Sequence, residues 1–238
     1  MRLGLYYDLR NPGGARSWAR VYAAALDRIG WADRAGIGAI WVTEHHGFAD
    51  GYLPAPLTFC AAIATRTSRA RIGTAVVVSP LIPRPLPVWV GARGPRGARL
   101  AGRTGAGLLW IDRDLFEPYL AGLAQADPPA LPRVGGLANV FLADDPDRVL
   151  AAVREHGRRN RASYEDAGAA GRETAFPKLR ILTPAAAAAW ISELCAWLPV
   201  TDVFCFGDIG GLDDDLVERH TELAVRELAP VLAEEGEL

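Results

Sequence analysis

The sequence predicts an α/β fold: an incomplete TIM-like (β/α) barrel with about seven strands, lacking the segment around the fourth. Strand and helix signals alternate along the chain, the pattern of a parallel sheet joined by crossover helices. Seven strand signals can be read, where a closed barrel needs eight. The 238 residues, half of them apolar, suit one domain spanning 1–238, near the barrel norm of about 250 residues.

Leu3 to Tyr7 is a short apolar strand. After Pro12-Gly13-Gly14 a helix runs from about Ser17 to Ala35, with Val21, Tyr22, Ala25 and Ile29 at helical spacing and Gly36 as its stop. Ile40 to Val42 forms the second strand, leading into Thr43-Glu44-His45-His46 and a polar loop from Gly47 to Leu53. Pro56 opens a helix through Thr65, and Arg71 to Val78 is the third strand. Pro87 to Val90 is the next strand, and Gly94-Pro95 starts a helix ending near Gly105. A strand over Gly107 to Ile111, a helix over Leu115 to Ala126 and a strand over Val134 to Leu142 follow. Asp145-Pro146 and Thr183-Pro184 each pair an N-cap residue with a proline at the first helical position. They open a long arginine-rich helix and a helix over Ala185 to Trp197. Val200 to Phe206 is the last strand, and Asp213 to Leu232 the closing helix.

The missing strand belongs between Val78 and Val88. Neighbouring parallel strands need a crossover of a dozen or more residues, usually helical. Ser79 to Pro87 is shorter, and Pro83, Pro85 and Pro87 exclude a helix interior. Extended at about 3.1 Å per residue, the connector can run back along the barrel wall, antiparallel to its neighbours. Prolines cannot complete a hydrogen-bonded ladder on both sides, so the gap predicts cover from a second subunit, as a homodimer or a heteromer with a homologue.

A net charge of −2, with arginines scattered rather than striped, predicts no nucleic-acid partner. Cys60, Cys195 and Cys205 lie in apolar runs without metal-ligand spacing and read as buried thiols in a reducing compartment. The opening residues lack a signal-peptide pattern, and no apolar run approaches the roughly 18 residues of a membrane span. The expectation is a cytoplasmic protein without membrane or metal.

Chemistry in (β/α) barrels sits at the C-terminal strand ends. There the second strand presents Glu44, His45 and His46. An imidazole titrating near 6.5 can serve as acid or base, and a neighbouring carboxylate can set its tautomer. The same residues can equally close a strand–loop junction by hydrogen bonding. Metal binding would need a third ligand that the spacing does not supply.

The stretch Ala35-Gly36-Ile37-Gly38-Ala39-Ile40-Trp41-Val42-Thr43-Glu44-His45-His46 resembles the second-strand signature of the bacterial luciferase-like monooxygenases. The resemblance continues through Gly51-Tyr52-Leu53-Pro54, the segment from Arg66 to Val76, and Pro87-Val88-Trp89-Val90-Gly91. It implies a barrel that uses FMN, in reduced form, or the deazaflavin F420 to oxygenate or reduce a small or carrier-bound molecule. It implies His45 as the catalytic histidine, with Glu44 and His46 beside it, and Ala75 and Val76 under the flavin ring. It also implies Gly91, Ala92, Arg93 and Gly94 as the turn holding the flavin phosphate. That assignment has its own physical sense, because two glycines admit a close approach, a helix start offers free N–H groups, and Arg93 and Arg96 add charge. The family's fourth strand and an arginine that usually helps hold the phosphate are absent here. This shortened layout is similar to that of the non-fluorescent flavoprotein of luminous bacteria. Three functions stay open: a flavin-dependent oxidoreductase, a non-catalytic flavin or ligand binder, and a stabilising partner of a full-length homologue.

The remaining features take structural readings. The seven tryptophans are expected in core or interface, and the acidic side chains of Asp213 to Asp215 complement a helix dipole. Arg158 to Arg161 forms a solvated helix face, and His156 and His220 are expected at the surface.

Overall fold

The structure is a computed structural model and describes residues 1–14, 16–75, 88–166 and 179–235. The chain runs β1 (Arg2–Tyr7), α1 (Trp18–Arg34), β2 (Ala39–Val42), α2 (Pro56–Ala64), β3 (Arg71–Thr74), β4 (Trp89–Val90) and α3 (Pro95–Arg103). It continues with β5 (Gly107–Leu109), α4 (Arg113–Leu123), β6 (Val134–Leu137), β7 (Val140–Leu142), α5 (Pro146–Asp166), β8 (Arg180–Leu182) and α6 (Pro184–Cys195). It closes with β9 (Val200–Phe206), α7 (Asp214–Leu223), a π-helical segment (Ala224–Leu228) and α8 (Ala229–Glu235).

Seven strands form one parallel sheet in the order β3-β2-β1-β9-β6-β5-β4. Its edges are β3 and β4, the strands on either side of the expected gap. All strands point the same way, so their C-terminal ends share one rim. The connector 79–87, its antiparallel path, and Val76 to Val78 lie outside the described residues.

Strand periodicity divides the core in two. Leu3, Leu5 and Tyr7 of β1, Ile40 and Val42 of β2, and Val203 and Cys205 of β9 face outward to the helices. Tyr6, Trp41, Leu109 and Phe204 face inward with the half-buried Trp89. Trp41 stacks on Phe204 at 5.3 Å and meets Trp89 edge-on at 6.3 Å, which closes the interior below the rim. Small residues make room for these indoles: a Cβ on Gly4 or Gly73 would lie 3.0 Å from Trp41, and one on Gly107 would lie 2.5 Å from Trp89. Asp33 of α1 sets the approach to β3, accepting the backbone N–H groups of Ser68, Arg69 and Ala70 at 2.7–3.0 Å.

Three expectations are corrected. Val134 to Leu142 is two strands, because Ala138 N–H makes the last bond to β9, at Phe204 O, and the Asn139 carbonyl accepts Arg180 N–H to begin a separate β7–β8 pair. The single polar residue Asn139 inside the run does not by itself announce a change of partner, and β8 was not predicted. The closing helix is interrupted by the π segment, with Pro230, which lacks an N–H, just beyond it. Trp197, expected in core or interface, is 90 % exposed in the single chain at a positive φ of 69°. All three cysteines are free, but only Cys205 is fully buried; Cys60 and Cys195 are half-buried.

Helices α3 and α4 pack backbone to backbone at Gly102 and Gly122. A Cβ at Gly102 would overlap the Tyr119 carbonyl, and one at Gly122 the Arg99 carbonyl. Gly102→Ala is expected to cost about 1–3 kcal/mol, because rigid backbone must move apart to admit one methyl group. The urea midpoint should fall with an unchanged m-value.

Candidate active site

The rim is built from the residues just past each strand. After β2, Thr43 N–H donates to Tyr7 O at 3.2 Å, His45 N–H to Leu53 O at 3.1 Å, and Leu53 N–H to Asp8 O at 3.0 Å. Asn11 N–H donates to Asp50 O at 2.9 Å. The loop from Thr43 to Leu53 is thereby laced to the extension of β1.

His45 is half-buried in a cluster of rings. It stacks on Tyr52 with centroids 3.8 Å apart and an interplanar angle of 13°, and Phe48 stands edge-on to it at 5.6 Å. Its Nδ1 hydrogen-bonds Thr43 Oγ1 at 3.0 Å. Burial, then the positive charges of Arg10 and Arg93, lower its pKa to about 4, with His46 adding to the shift and Glu44 opposing it. His45 is therefore a neutral imidazole at neutral pH. Glu44 does not orient it: the carboxylate pairs with the exposed His46 at 2.9 Å.

Arg93 is an exposed residue of the rim. It follows β4, lies with Cζ 5.6 Å from the Trp110 ring centroid, and its field is felt at His45. Gly91 and Gly94 have open space where a Cβ would be, Ala92 is buried against the α3 start, and Gly94 caps α3 without a side-chain hydrogen bond. Arg96 is exposed in the first turn of α3. Ala75 directly follows β3; its N–H donates to Val42 O at 2.7 Å and its side chain packs with the interior aromatic cluster under the rim. Val76 lies outside the described residues. The strands thus bring His45, Ala75 and the turn from Gly91 to Gly94 to one rim, while His46 points to solvent.

The sequence reading missed the groups behind His45. Arg10, only 2 % exposed in its side chain, gives both Nε and an Nη to Asp50 Oδ2 at 2.7 Å and lies 4.6 Å from the Tyr52 ring centroid. Asp8 is buried beside them and accepts Arg10 N–H; burial pushes its carboxyl up to about 7, against the opposing charge of Arg10. A buried arginine and two buried aspartates at a strand tip are the kind of signal that marks a site, but the 40-residue separation of Arg10 and Asp50 hides their pairing in the sequence.

Two grooves open elsewhere, one of about 410 Å³ between α1 and α7 and one of about 620 Å³ beside Asp112, Arg180 and Trp190. Neither contains a residue of the His45 cluster. Donors and perturbed groups converge at the rim, which is where we place the site.

A curled parallel β/α sheet with its functional groups on the C-terminal rim defines a barrel protein of the enzyme-bearing kind. The chain belongs to the luciferase-like monooxygenase family, whose model matches residues 1–83 and 79–192. It is similar to the oxygenase component of a flavin-dependent trigonelline monooxygenase from Acinetobacter baylyi, 31 % identical over 80 residues, which cover 34 % of this chain and 22 % of that protein. A 4-hydroxyprotoasukamycin monooxygenase from Streptomyces nodosus subsp. asukaensis is 42 % identical over 55 residues, 23 % of this chain and 15 % of that protein. The matched stretches are thus well under half of either relative. Among solved structures, the monooxygenase RslO1 from Streptomyces bottropensis superposes with a TM-score of 0.77 at 17 % identity, covering 97 % of this chain and 99 % of that one. The oxygenating constituent of 3,6-diketocamphane monooxygenase from Pseudomonas putida, solved with FMN, gives a TM-score of 0.66 at 14 % identity, with 97 % and 98 % covered. These structural likenesses establish the fold. Among the described residues no helix is long and apolar enough to cross a membrane.

Proposed function

We propose that the chain is a flavin-dependent oxidoreductase of the monooxygenase type, binding FMN or F420 across the rim and acting on a small or carrier-bound molecule. The observation that carries this is the convergence of a neutral, half-buried imidazole and an arginine-flanked glycine turn on one rim, close enough for Arg93 to influence His45.

The residues fit a phosphorylated isoalloxazine. Gly91 and Gly94 leave the approach to the α3 start open, and that helix end supplies N–H donors without a competing side-chain cap. Arg93 and Arg96 add cationic charge for a phosphate. Ala75, small and just past β3, packs on the aromatic cluster that includes Trp41. When bound, the flavin would supply the electrons for oxygenation or reduction. The chain's own work is to hold the phosphate at Gly91 to Gly94, to shut the floor with Trp41, Trp89 and Phe204, and to present His45. His45, oriented through Nδ1 by Thr43, is the group proposed to exchange a proton with a ligand.

A fluorescence titration tests this. FMN or F420 should bind, riboflavin should bind more weakly, and Arg93→Met should weaken FMN by about tenfold, the scale of one charge-assisted contact of 1.5 kcal/mol or so. Binding without NADH-coupled oxygen uptake, in the presence of a flavin reductase, would support the non-catalytic binder. Absence of affinity for either cofactor would remove the flavin reading.

A further inference from the structure

We infer that Arg10, carried by the extension of β1, is the positioning residue of the site: its guanidinium, clamped to Asp50 and laid over Tyr52, fixes the ring against which His45 stacks. The inference rests on the reading of His45 as the proton-handling group.

The loop carrying His45 is held from within by the bonds His45 N–H to Leu53 O and Gly51 N–H to Phe48 O and by the stacked rings, and from outside by the β1 extension. Its tip contains Gly47 and Gly51, both at positive φ, and its anchors are backbone bonds to the β1 extension at Asp8 and Asn11. Between those anchors the side chain of Arg10 turns inward and meets Asp50, Tyr52 and Phe48 together, with Cζ 4.6 Å and 5.7 Å from the two ring centroids. A planar guanidinium can bond a carboxylate and lie on aromatic rings at once, which a lysine ammonium cannot reproduce.

The arrangement is costly as pure architecture. Burying an arginine–aspartate pair carries a desolvation penalty of several kcal/mol per ion, and an apolar pair of similar volume is often as stable. Asp50 Oδ1 lacks a hydrogen-bond partner among the described residues, so the pair is not saturated. Leu9, buried and without a glycine's freedom, holds φ at 54° to send its own side chain to the core and Arg10 to the site. A left-handed leucine is strained, because its Cβ crowds the backbone carbonyl. Strain and desolvation meet at the residue that contacts the ring behind His45.

Among the described residues, the charged and titratable groups facing His45 are Arg10 from the β1 extension, Arg93 from the turn after β4, and Glu44, His46 and Tyr52 from its own loop. Burial lowers the His45 pKa most, and Arg10 and Arg93 add to it. Arg10 thus acts on the ring that His45 stacks against and contributes to the neutral state of His45.

The test follows the imidazole Cε1–H resonance of His45 by NMR in the protein without added flavin, assigned among four histidines with His45→Gln. In Arg10→Met the His45 pKa should rise by about one pH unit or more, and the His45–Tyr52 ring contact should disappear from the NOE spectrum. Arg10→Lys, which keeps the charge without the planar fork, should restore much of the low pKa but not the ring contact. A folded Arg10→Met protein with both readouts unchanged overturns the inference. If Arg10→Met fails to fold, Asp50→Asn decides: it loosens the clamp on Arg10, so the His45–Tyr52 ring contact should weaken in the NOE spectrum, and an unchanged contact overturns the inference. None of these readouts needs a bound cofactor. Failure of the flavin titration therefore removes the proposed function while leaving the role of Arg10 to stand or fall separately.

Discussion

His45→Ala is expected to lower flavin-coupled turnover about 100- to 10,000-fold, the range for losing a positioned acid–base group, while leaving cofactor affinity largely intact. The separation follows from the geometry: the groups proposed to hold phosphate, Gly91 to Gly94, follow β4, whereas His45 follows β2 and is held by Thr43 and Tyr52. The loss should fall on kcat rather than on the cofactor Kd. His46→Ala should cost far less, because that ring is exposed and paired with Glu44. The pH profile gives a second check. With its pKa lowered to about 4, His45 is neutral throughout the usual range, so the acid limb it controls should lie near pH 4 instead of near 6.5. Stopped-flow or steady-state rates between pH 4 and 8 would show this, and an acid limb near 6.5 assignable to His45 would contradict the buried, arginine-opposed environment described above.

The second large effect concerns stability. His220 is expected to be indispensable to the fold, contrary to the surface position inferred from its helix. It is wholly buried, stacks on Phe141 at 4.5 Å, accepts Leu142 N–H at Nδ1 at 2.9 Å, and donates from Nε2 to the Phe206 carbonyl. One neutral tautomer thus ties α7 to β7 and to the end of β9. His220→Ala should destabilise the chain by about 3–5 kcal/mol, as for other large buried rings. His220→Phe keeps the stack yet strands a buried N–H and a buried C=O, at about 1–3 kcal/mol each. Burial lowers the His220 pKa to about 4 despite both backbone bonds. In the unfolded chain the value is near 6.5, so between these limits the unfolded state binds the extra proton. The contribution is complete above about 6.5 and is lost as pH falls towards 4, on the order of 3 kcal/mol. Asp8 acts with the opposite sign: with its pKa raised to about 7, it favours the fold as pH drops from that value towards 4. The His220 share is therefore read as the difference between wild type and His220→Phe in chemical denaturation at pH 7 and pH 5. Parallel curves at the two pH values would mean that His220 is not held neutral by the fold.

Most of the scaffold was legible without coordinates, since its signals are local. Short apolar runs marked β1, β2 and β9; Ser17, Thr183 and Pro95 marked helix starts that the structure shows at α1, α6 and α3. The short proline-rich stretch between the third and fourth strands was enough to predict an open wall, and β3 and β4 are the two edges of the sheet. The motif residues His45, Ala75 and Gly91 to Gly94 were legible for the same reason, as each lies directly past a strand.

What the coordinates alone decided are pairings between distant segments. The bend at Asn139 that hands one strand from β9 to β8, the clamp between Arg10 and Asp50, and the burial of His220 against Phe141 and Leu142 all depend on parallel register. Register is set by the collective fit of both sheet faces and the helices over them, and no short window of sequence encodes it. Chain chemistry thus determined which elements form and which groups reach the rim. Only packing determined that His45 is neutral, that Glu44 serves His46 instead, and that an arginine from another strand stands behind the site.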